Sequence, residues 1–351
     1  MSPRRRFWLL AALRWLPTGF TIPVSALLPL DRGLTIVEVG SVVAVQGVVV
    51  LCLELPTGRF ADALGRKPVF IASAAFAVVS YVVYASAQTP LAFATAVALA
   101  GVFRALDSGP LNAWFVDRVH QDVSVVDRSA TVARGLSGYA TVVGASIATG
   151  AVMSGLLVAW APFGRASSLA LPYWIASGLA GVQIIATLVM MDEDRATRVA
   201  GVLSSVRATP GVMIAGIRLL GCSRVLRALV AVELFWGFGM IAFETFMPIR
   251  LSELVSDREA AAALMGPVTA AAWGISASRH LGTRCIGSPV VAAALEPGSH
   301  LGRSEDRAGR NGRRHGTGRR AGGVDRRAVR DLRRALGRGG DLRDPAARAG
   351  R

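Results

Sequence analysis

The chain contains 351 residues, 52% of them hydrophobic, and its formal net charge is +16. Residues 279–351 hold 18 basic and 7 acidic residues, which leaves 21 basic and 16 acidic residues, a net charge of +5, on the rest. The apolar part therefore indicates a membrane protein. The Arg-rich residues 279–351 have no interleaved aromatic residues, so nucleic-acid binding is not expected of them. The three cysteines form no CxxC pair or metal-ligating spacing.

Eight stretches are long and apolar enough to cross a bilayer, whose hydrocarbon core requires ~20 apolar residues per helix. Short breaks that contain proline, glycine or charged residues separate them. The first stretch follows Arg4, Arg5 and Arg6, as a signal peptide would, but Arg14 and Pro17 within it and the lack of a cleavage site favour a retained helix. The predicted spans are 7–30, 37–57, 69–87, 91–115, 131–160, 170–191, 225–248 and 260–277.

The basic residues of the loops predict the orientation of these spans. With the N-terminus in the cytoplasm, 15 of the 21 Lys and Arg residues before the tail lie on the inner side and 4 on the outer side. Because cytoplasmic loops carry the excess of Lys and Arg, the sequence predicts a multi-pass protein of the cell (inner) membrane with a cytoplasmic N-terminus.

The connection between the second and third spans has a characteristic spacing of glycine and charge. Gly58 and Gly65 permit close backbone approach or a positive φ. Asp62 is a carboxylate near a helix end, where it can meet a helix N-terminus or an arginine. Arg66 and Lys67 follow at the inner membrane surface.

This Gly-x-x-x-Asp-x-x-Gly-Arg-Lys segment resembles the loop motif of the major facilitator superfamily, and the preceding Glu-Leu-Pro-Thr-Gly is similar to that of bacterial drug-efflux members. The resemblance implies that Gly58, Asp62, Gly65, Arg66 and Lys67 form a conformational latch, in which the acidic residue contacts a helix of the second half and holds the outward-facing state. Ala63 departs from the pattern, because a basic residue usually follows the acid.

A second resemblance lies in the fourth span, where Arg104-Ala-Leu-Asp107-Ser-Gly109 is similar to the family's pattern of an arginine before a glycine-rich turn. Ionisable residues at membrane depth usually face the interior of the helix bundle. The resemblance implies a proton-relay or coupling role for Arg104. The alternative is a structural ion pair, since Arg104 and Asp107 are one helical turn apart.

Three further charges fall within predicted spans. Arg14 lies in the first span, and Glu233 and Glu244 lie in the seventh, eleven positions apart and so on roughly one helix face. We treat these three residues as further candidates for coupling or binding. The fifth span is rich in small residues, which predicts close helix packing.

The resemblance implies an all-α membrane fold of two six-helix halves with the substrate bound between them. Residues 1–191 supply a complete first half, 192–224 the cytoplasmic loop between halves, and 225–278 only helices seven and eight of the second half. From about Ser278 the chain becomes rich in Arg and Gly. For 279–351 we expect either a reading-frame shift, with C-terminal truncation of the family fold, or a disordered basic tail.

The preferred function is secondary active transport of a small molecule, as proton-coupled efflux by an antiporter in the lipid bilayer. No phosphate-binding GxxxxGK[ST] loop, catalytic residue set, metal cluster or cofactor motif is present, so an enzyme is not expected. Alternating access needs both halves. The alternative is therefore an inactive, truncated membrane protein that acts, if at all, through partner binding.

Overall fold

In a computed structural model of the chain, the structure describes residues 1–122, 127–192 and 220–285, and it describes side chains in all of these except 55–63, 165–166 and 276–285. These residues belong to one compact unit, Met1–Gly287. They form helices and connecting turns, with no strand in the described ranges. Most of the predicted 192–224 loop and 279–351 tail lies outside them.

The described ranges contain twelve named α-helices, a 3₁₀ turn (Ile22–Val24) and a π turn (Ala242–Phe246). The helices are α1 (Pro3–Thr21), α2 (Leu27–Asp31), α3 (Ile36–Leu64), α4 (Arg66–Ser86), α5 (Pro90–Asp107), α6 (Pro110–Gln121), α7 (Arg128–Trp160), α8 (Arg165–Ser168), α9 (Leu171–Met190), α10 (Arg224–Ile241), α11 (Met247–Val255) and α12 (Arg258–Cys285).

Seven helical segments among the described residues are long and apolar enough to cross a membrane, which confirms the predicted all-α integral membrane fold. The eighth predicted span, 260–277, lies on α12, which is not one of these seven segments. Helix α12 extends to Cys285, past the boundary at 278 that the sequence predicted. The seven segments are Pro3–Asp31, Ile36–Glu54, Arg66–Ser86, Pro90–Gln121, Arg128–Trp160, Leu171–Met190 and Arg224–Val255.

Side-chain caps set where several of these helices begin. Thr35 caps α3 through a capping box, in which its hydroxyl accepts from the Glu38 N–H while the Glu38 carboxylate accepts from the Thr35 N–H. Thr89 and Asp127 cap α5 and α7 by a single hydrogen bond each, in which the side-chain oxygen accepts from the backbone N–H three residues later. These caps satisfy N–H groups that the first helical turn leaves without a partner.

The fourth span is interrupted at the end of its sequence motif, Arg104–Gly109. Helix α5 ends at Asp107 and α6 begins at Pro110, so Ser108 and Gly109 form the joint. Gly109 has a φ of +103°, in the left-handed region that glycine adopts without steric cost. Pro110 is suited to the first position of α6, where no backbone donor is required.

Glycines bring α7 into close contact with two other helices. A Cβ atom on Gly150 would lie 2.5 Å from the Leu16 carbonyl oxygen of α1, and one on Gly155 would lie 2.6 Å from the Ala263 carbonyl oxygen of α12. Gly266 is equally restricted against α7. The small residues of the fifth span therefore form packing surfaces against the first span and against α12.

The seventh span differs from the first six in its surroundings. In its most apolar window, within Arg224–Val255, none of the residues is buried among the other described residues, whereas the corresponding windows of the first six spans are between 11% and 61% buried. Helix α12 is instead anchored on α7, and Ala261, Ala262 and Met265 of α12 are fully buried.

Candidate functional site

A buried ion pair joins the first and fourth spans. The Arg14 Nε atom of α1 donates to the Asp107 carboxylate at the end of α5, over 2.6 Å. The side chains are only 5% and 13% exposed. Charges at this depth are costly unless they are paired, so the pair compensates a large desolvation cost.

The remaining surfaces of the Arg14 guanidinium are also occupied. One amino group donates to the Thr18 hydroxyl at 3.2 Å. The guanidinium carbon lies 4.2 Å from the ring centre of Phe103 and 4.7 Å from that of Trp15. Cation–π contacts of this kind stabilise a desolvated guanidinium. Two N–H groups of Arg14 thus have partners within the protein, and two aromatic rings flank its guanidinium.

A hydrogen bond extends this cluster to the fifth span. The Trp15 indole N–H of α1 donates to the Tyr139 hydroxyl of α7 at 3.0 Å. The Tyr139 ring is stacked on Phe7, which in turn stacks on Phe115 of α6. The ion pair consequently adjoins an aromatic core that ties the first, fourth and fifth spans together.

The structure corrects the local ion pair considered from the sequence. Asp107 bonds Arg14, 93 positions away, and among the described residues it forms no ion pair with Arg104. Arg104 itself is exposed. Although one turn separates Arg104 from Asp107 along the chain, the Asp107 carboxylate is directed towards α1, where the buried Arg14 compensates it.

The two candidate glutamates of the seventh span lie in different surroundings. Glu233 of α10 is exposed, whereas Glu244 is half-buried and lies in the π turn Ala242–Phe246. This turn changes the helical register on which the predicted common face of Glu233 and Glu244 depended.

Part of the loop motif forms contacts within the first six spans. Gly65 separates α3 from α4 with a φ of +99°. Arg66 pairs with Asp117 near the end of α6 at 3.0 Å, and the Lys67 ammonium donates to the Leu188 carbonyl of α9 at 2.9 Å.

The remaining motif positions, Gly58 and Asp62, fall in the last two turns of α3. The Asp62 side chain lies outside the described residues, so its predicted latch contact stays a prediction.

The same end of the bundle has two further ties between distant parts of the chain. Arg6 of α1 pairs with Asp192 at 2.5 Å, and the Trp114 indole N–H donates to the Asp192 carbonyl at 2.9 Å. Together with the motif contacts, they link the start of α1 and the ends of α6 and α9. Among the described residues no group of three or more His, Cys, Asp or Glu could hold a metal ion.

The sequence analysis did not identify several residues that complete these contacts. Thr18 and Trp15 flank Arg14 on the same helix, and this proximity was the available signal. Phe103, Tyr139 and Asp117 are distant in the sequence from the groups they contact, and no local pattern distinguishes them.

Comparison with known proteins places the chain in a family. The family described as Major Facilitator Superfamily matches residues 7–295, a range that continues past Ser278. No curated protein matches the chain.

Two solved structures resemble the fold. A crystal structure of a mutant of the nucleoside transporter NupG aligns with a TM-score of 0.53 at 14% identity, covering 76% of this chain and 64% of that chain. A second crystal structure of NupG has a TM-score of 0.47 at 12% identity, covering 79% of this chain and 81% of that chain. The chain thus spans less than two thirds of the length of the mutant NupG chain, and the likeness concerns the fold alone.

Proposed function

Because the chain belongs to the Major Facilitator Superfamily, we propose that it is a secondary active transporter of a small molecule, and that it acts as a proton-coupled exporter. The observation that carries this proposal is the Arg14–Asp107 pair, buried at membrane depth within two spans. Ionisable residues in such positions mark substrate or proton pathways by default. The resemblance of the loop motif to drug-efflux members supports the direction of transport.

The ion pair offers a chemical basis for proton coupling. Protonation of Asp107 would remove the counter-charge of Arg14 and leave a guanidinium that is desolvated between two rings. The first and fourth spans would then favour a different arrangement. A proton bound at Asp107 could in this way be exchanged for a substrate during alternating access.

The loop motif is proposed to stabilise one of these arrangements. Arg66 and Lys67 bind the ends of α6 and α9, which supports a rigid inner end for the first half. Asp62 is the motif residue proposed to contact the second half. The proposed setting is the cell membrane with a cytoplasmic N-terminus, which the distribution of Lys and Arg supports.

The second candidate function is a non-transporting membrane protein that acts through partner binding. It is favoured by the exposed seventh span, whose most apolar window is 0% buried among the described residues. A partner, a second copy or lipid would cover this surface. A transport assay distinguishes the two candidate functions, because only the first one moves a substrate across the membrane.

The test is counter-transport in proteoliposomes that contain the purified full chain and a pH-sensitive dye in the lumen. With a pH gradient imposed, addition of the cationic efflux probe ethidium should accelerate proton movement across the membrane. Asp107→Asn should abolish the acceleration, whereas Glu253→Gln, which alters an exposed carboxylate on α11, should not. Absence of ethidium-dependent proton movement in the unaltered chain contradicts drug–proton exchange and leaves the partner-binding candidate.

A further inference from the structure

A cavity of about 420 Å³ lies at the end of the bundle where the first span begins and the fourth span ends. This volume is within the range of pockets that bind small molecules. Its lining includes the side chains of Arg6, Trp114, Arg118, Gln121 and Asp122. Because the cavity adjoins the first residues of one span and the last residues of another, it lies near the membrane surface, at the level of the lipid headgroups.

Two arginines from different spans contribute to this cavity. Arg6 lies on α1 and Arg118 in the last turn of α6, and both are half-buried. One amino group of Arg6 donates to the Asp192 carboxylate and to the Met190 carbonyl. The Arg118 side chain forms no hydrogen bond or ion pair with a described residue. A guanidinium has five N–H donors, so most donors of the two arginines are available to a ligand.

The charges around the cavity favour an anionic ligand. Asp122 is the acidic side chain among those that line it, and the Asp192 carboxylate pairs with Arg6. The first turn of α1 has no acidic residue and adds two further arginines to this end of the bundle. Arg118 is therefore a half-buried cation that no described carboxylate pairs with. Burying an unpaired charge is costly, and an anion in the cavity would reduce that cost.

We propose that this cavity is a binding site for the phosphate group of an anionic molecule, with Arg118 and Arg6 as its donors. The planar guanidinium presents N–H groups in pairs that match phosphate oxygens. At the level of the headgroups the phosphate belongs either to an anionic phospholipid, since basic pockets between spans bind such headgroups, or to a small phosphate in the adjacent water. The site goes beyond the proposed transport function and does not depend on it.

A phosphate group bound by both arginines would connect α1 with α6. The Arg14–Asp107 pair joins the same two spans, so the site would add a second link, which exists only while the ligand is bound. A ligand that binds the folded chain alone stabilises it. The site therefore predicts that phosphate-containing ligands raise the unfolding temperature of the chain, and that Arg118 is required for this effect.

The test is isothermal titration calorimetry of the purified full chain in maltoside micelles and phosphate-free buffer. The lipid probe is dihexanoyl-phosphatidylglycerol, and the soluble probes are inorganic phosphate and glycerol 3-phosphate, with glycerol as the reference that lacks a phosphate group. At least one phosphate probe should bind with a saturable, single-site isotherm, and glycerol should not bind. Binding of the lipid alone identifies a headgroup site, whereas soluble probes that bind as tightly as the lipid identify a site for a small phosphate.

Variants separate this site from general attraction to a basic surface. Arg118→Gln should weaken phosphate binding about tenfold, because it removes charge-assisted hydrogen bonds, and it should abolish the increase in unfolding temperature. The matched control Arg134→Gln removes an equal charge from α7, at an exposed position outside the cavity, and should bind as the unaltered chain does. Asp122→Asn removes the negative charge of the lining and should strengthen binding. Size-exclusion chromatography confirms that each variant is folded.

The proposal is overturned if no phosphate probe binds saturably, or if Arg118→Gln and Arg134→Gln weaken binding equally. Weaker binding in Arg118→Gln together with tighter binding in Asp122→Asn supports it, because a general loss of folding does not produce opposite changes.

The outcome is distinguishable from that of the counter-transport test. Phosphate binding without ethidium–proton exchange would contradict the proposed function and leave the site in place. Ethidium–proton exchange by a chain that binds no phosphate probe would support transport and reject the site.

Discussion

Removing one partner of the buried pair between the first and fourth spans should cost far more stability than removing one partner of an exposed pair with a similar N–O distance. In the Arg14–Asp107 contact the atoms are 2.6 Å apart and the side chains are 5% and 13% exposed. In the Arg250–Glu253 contact of α11 the distance is 2.7 Å, but the side chains are 69% and 51% exposed. The two pairs therefore have nearly the same N–O distance and differ mainly in the burial of their side chains.

Removing one partner of a buried pair leaves an uncompensated charge, at a cost of about 3–5 kcal/mol. Asp107→Asn should accordingly destabilise the protein by that amount. In Arg14→Met/Asp107→Leu both charges are absent, and the free energy of unfolding should return to within about 1–2 kcal/mol of the original value. Glu253→Gln should change it by no more than about 1 kcal/mol, since exposed pairs contribute little.

The assay is reversible unfolding of the purified chain in mixed micelles, followed by far-ultraviolet circular dichroism. The unaltered chain, Arg14→Met, Asp107→Leu and Arg14→Met/Asp107→Leu form a thermodynamic cycle, in which the double variant is compared with the sum of its two single variants. The reasoning is refuted if Asp107→Asn is no more destabilising than Glu253→Gln, or if the double variant is as unstable as the two single variants added together.

Three further predictions concern packing, the loop motif and orientation. Gly155→Leu should separate α7 from α12 and lower the unfolding temperature, whereas Gly178→Leu, with open space around its Cβ position, should not; equal shifts would contradict the close approach. Gly65→Ala should destabilise by about 1–3 kcal/mol because φ is +99° there. Gly40→Ala, in an exposed helical position, should stabilise by roughly 0.5–1 kcal/mol, and a similar sign for both in the same unfolding assay would be inconsistent with the backbone argument. Arg32→Cys, in a chain without its native cysteines, should react with a membrane-impermeant maleimide added to intact cells, and labelling only after lysis would reverse the predicted orientation.

Local properties of the sequence were sufficient to predict the helical architecture. Hydropathy is a property of consecutive residues, so it predicted eight spans, of which the first seven coincide with the apolar helical segments of the structure and the eighth, 260–277, does not. The loop motif was equally local, and it predicted the family to which the chain belongs. Small residues of the fifth span predicted close packing, and the glycine contacts of α7 agree with that expectation.

The partners of the intramembrane charges could not be predicted in the same way. Chain proximity allowed an Arg104–Asp107 pair, which the sequence analysis kept as an alternative, but in the structure Asp107 bonds Arg14 of α1 instead. This pairing depends on side-chain packing between helices far apart in sequence, such as the Phe103 ring against the Arg14 guanidinium.

Helix register was a second property that hydropathy does not encode. The π turn Ala242–Phe246 changes the direction in which Glu244 points relative to Glu233, and no apolar periodicity signals it. The sequence by itself therefore determined which residues lie in membrane-spanning helices and which charges lie among them. Only the tertiary structure decided which of those charges are compensated within the protein, because compensation depends on contacts between helices and not on the order of residues within them.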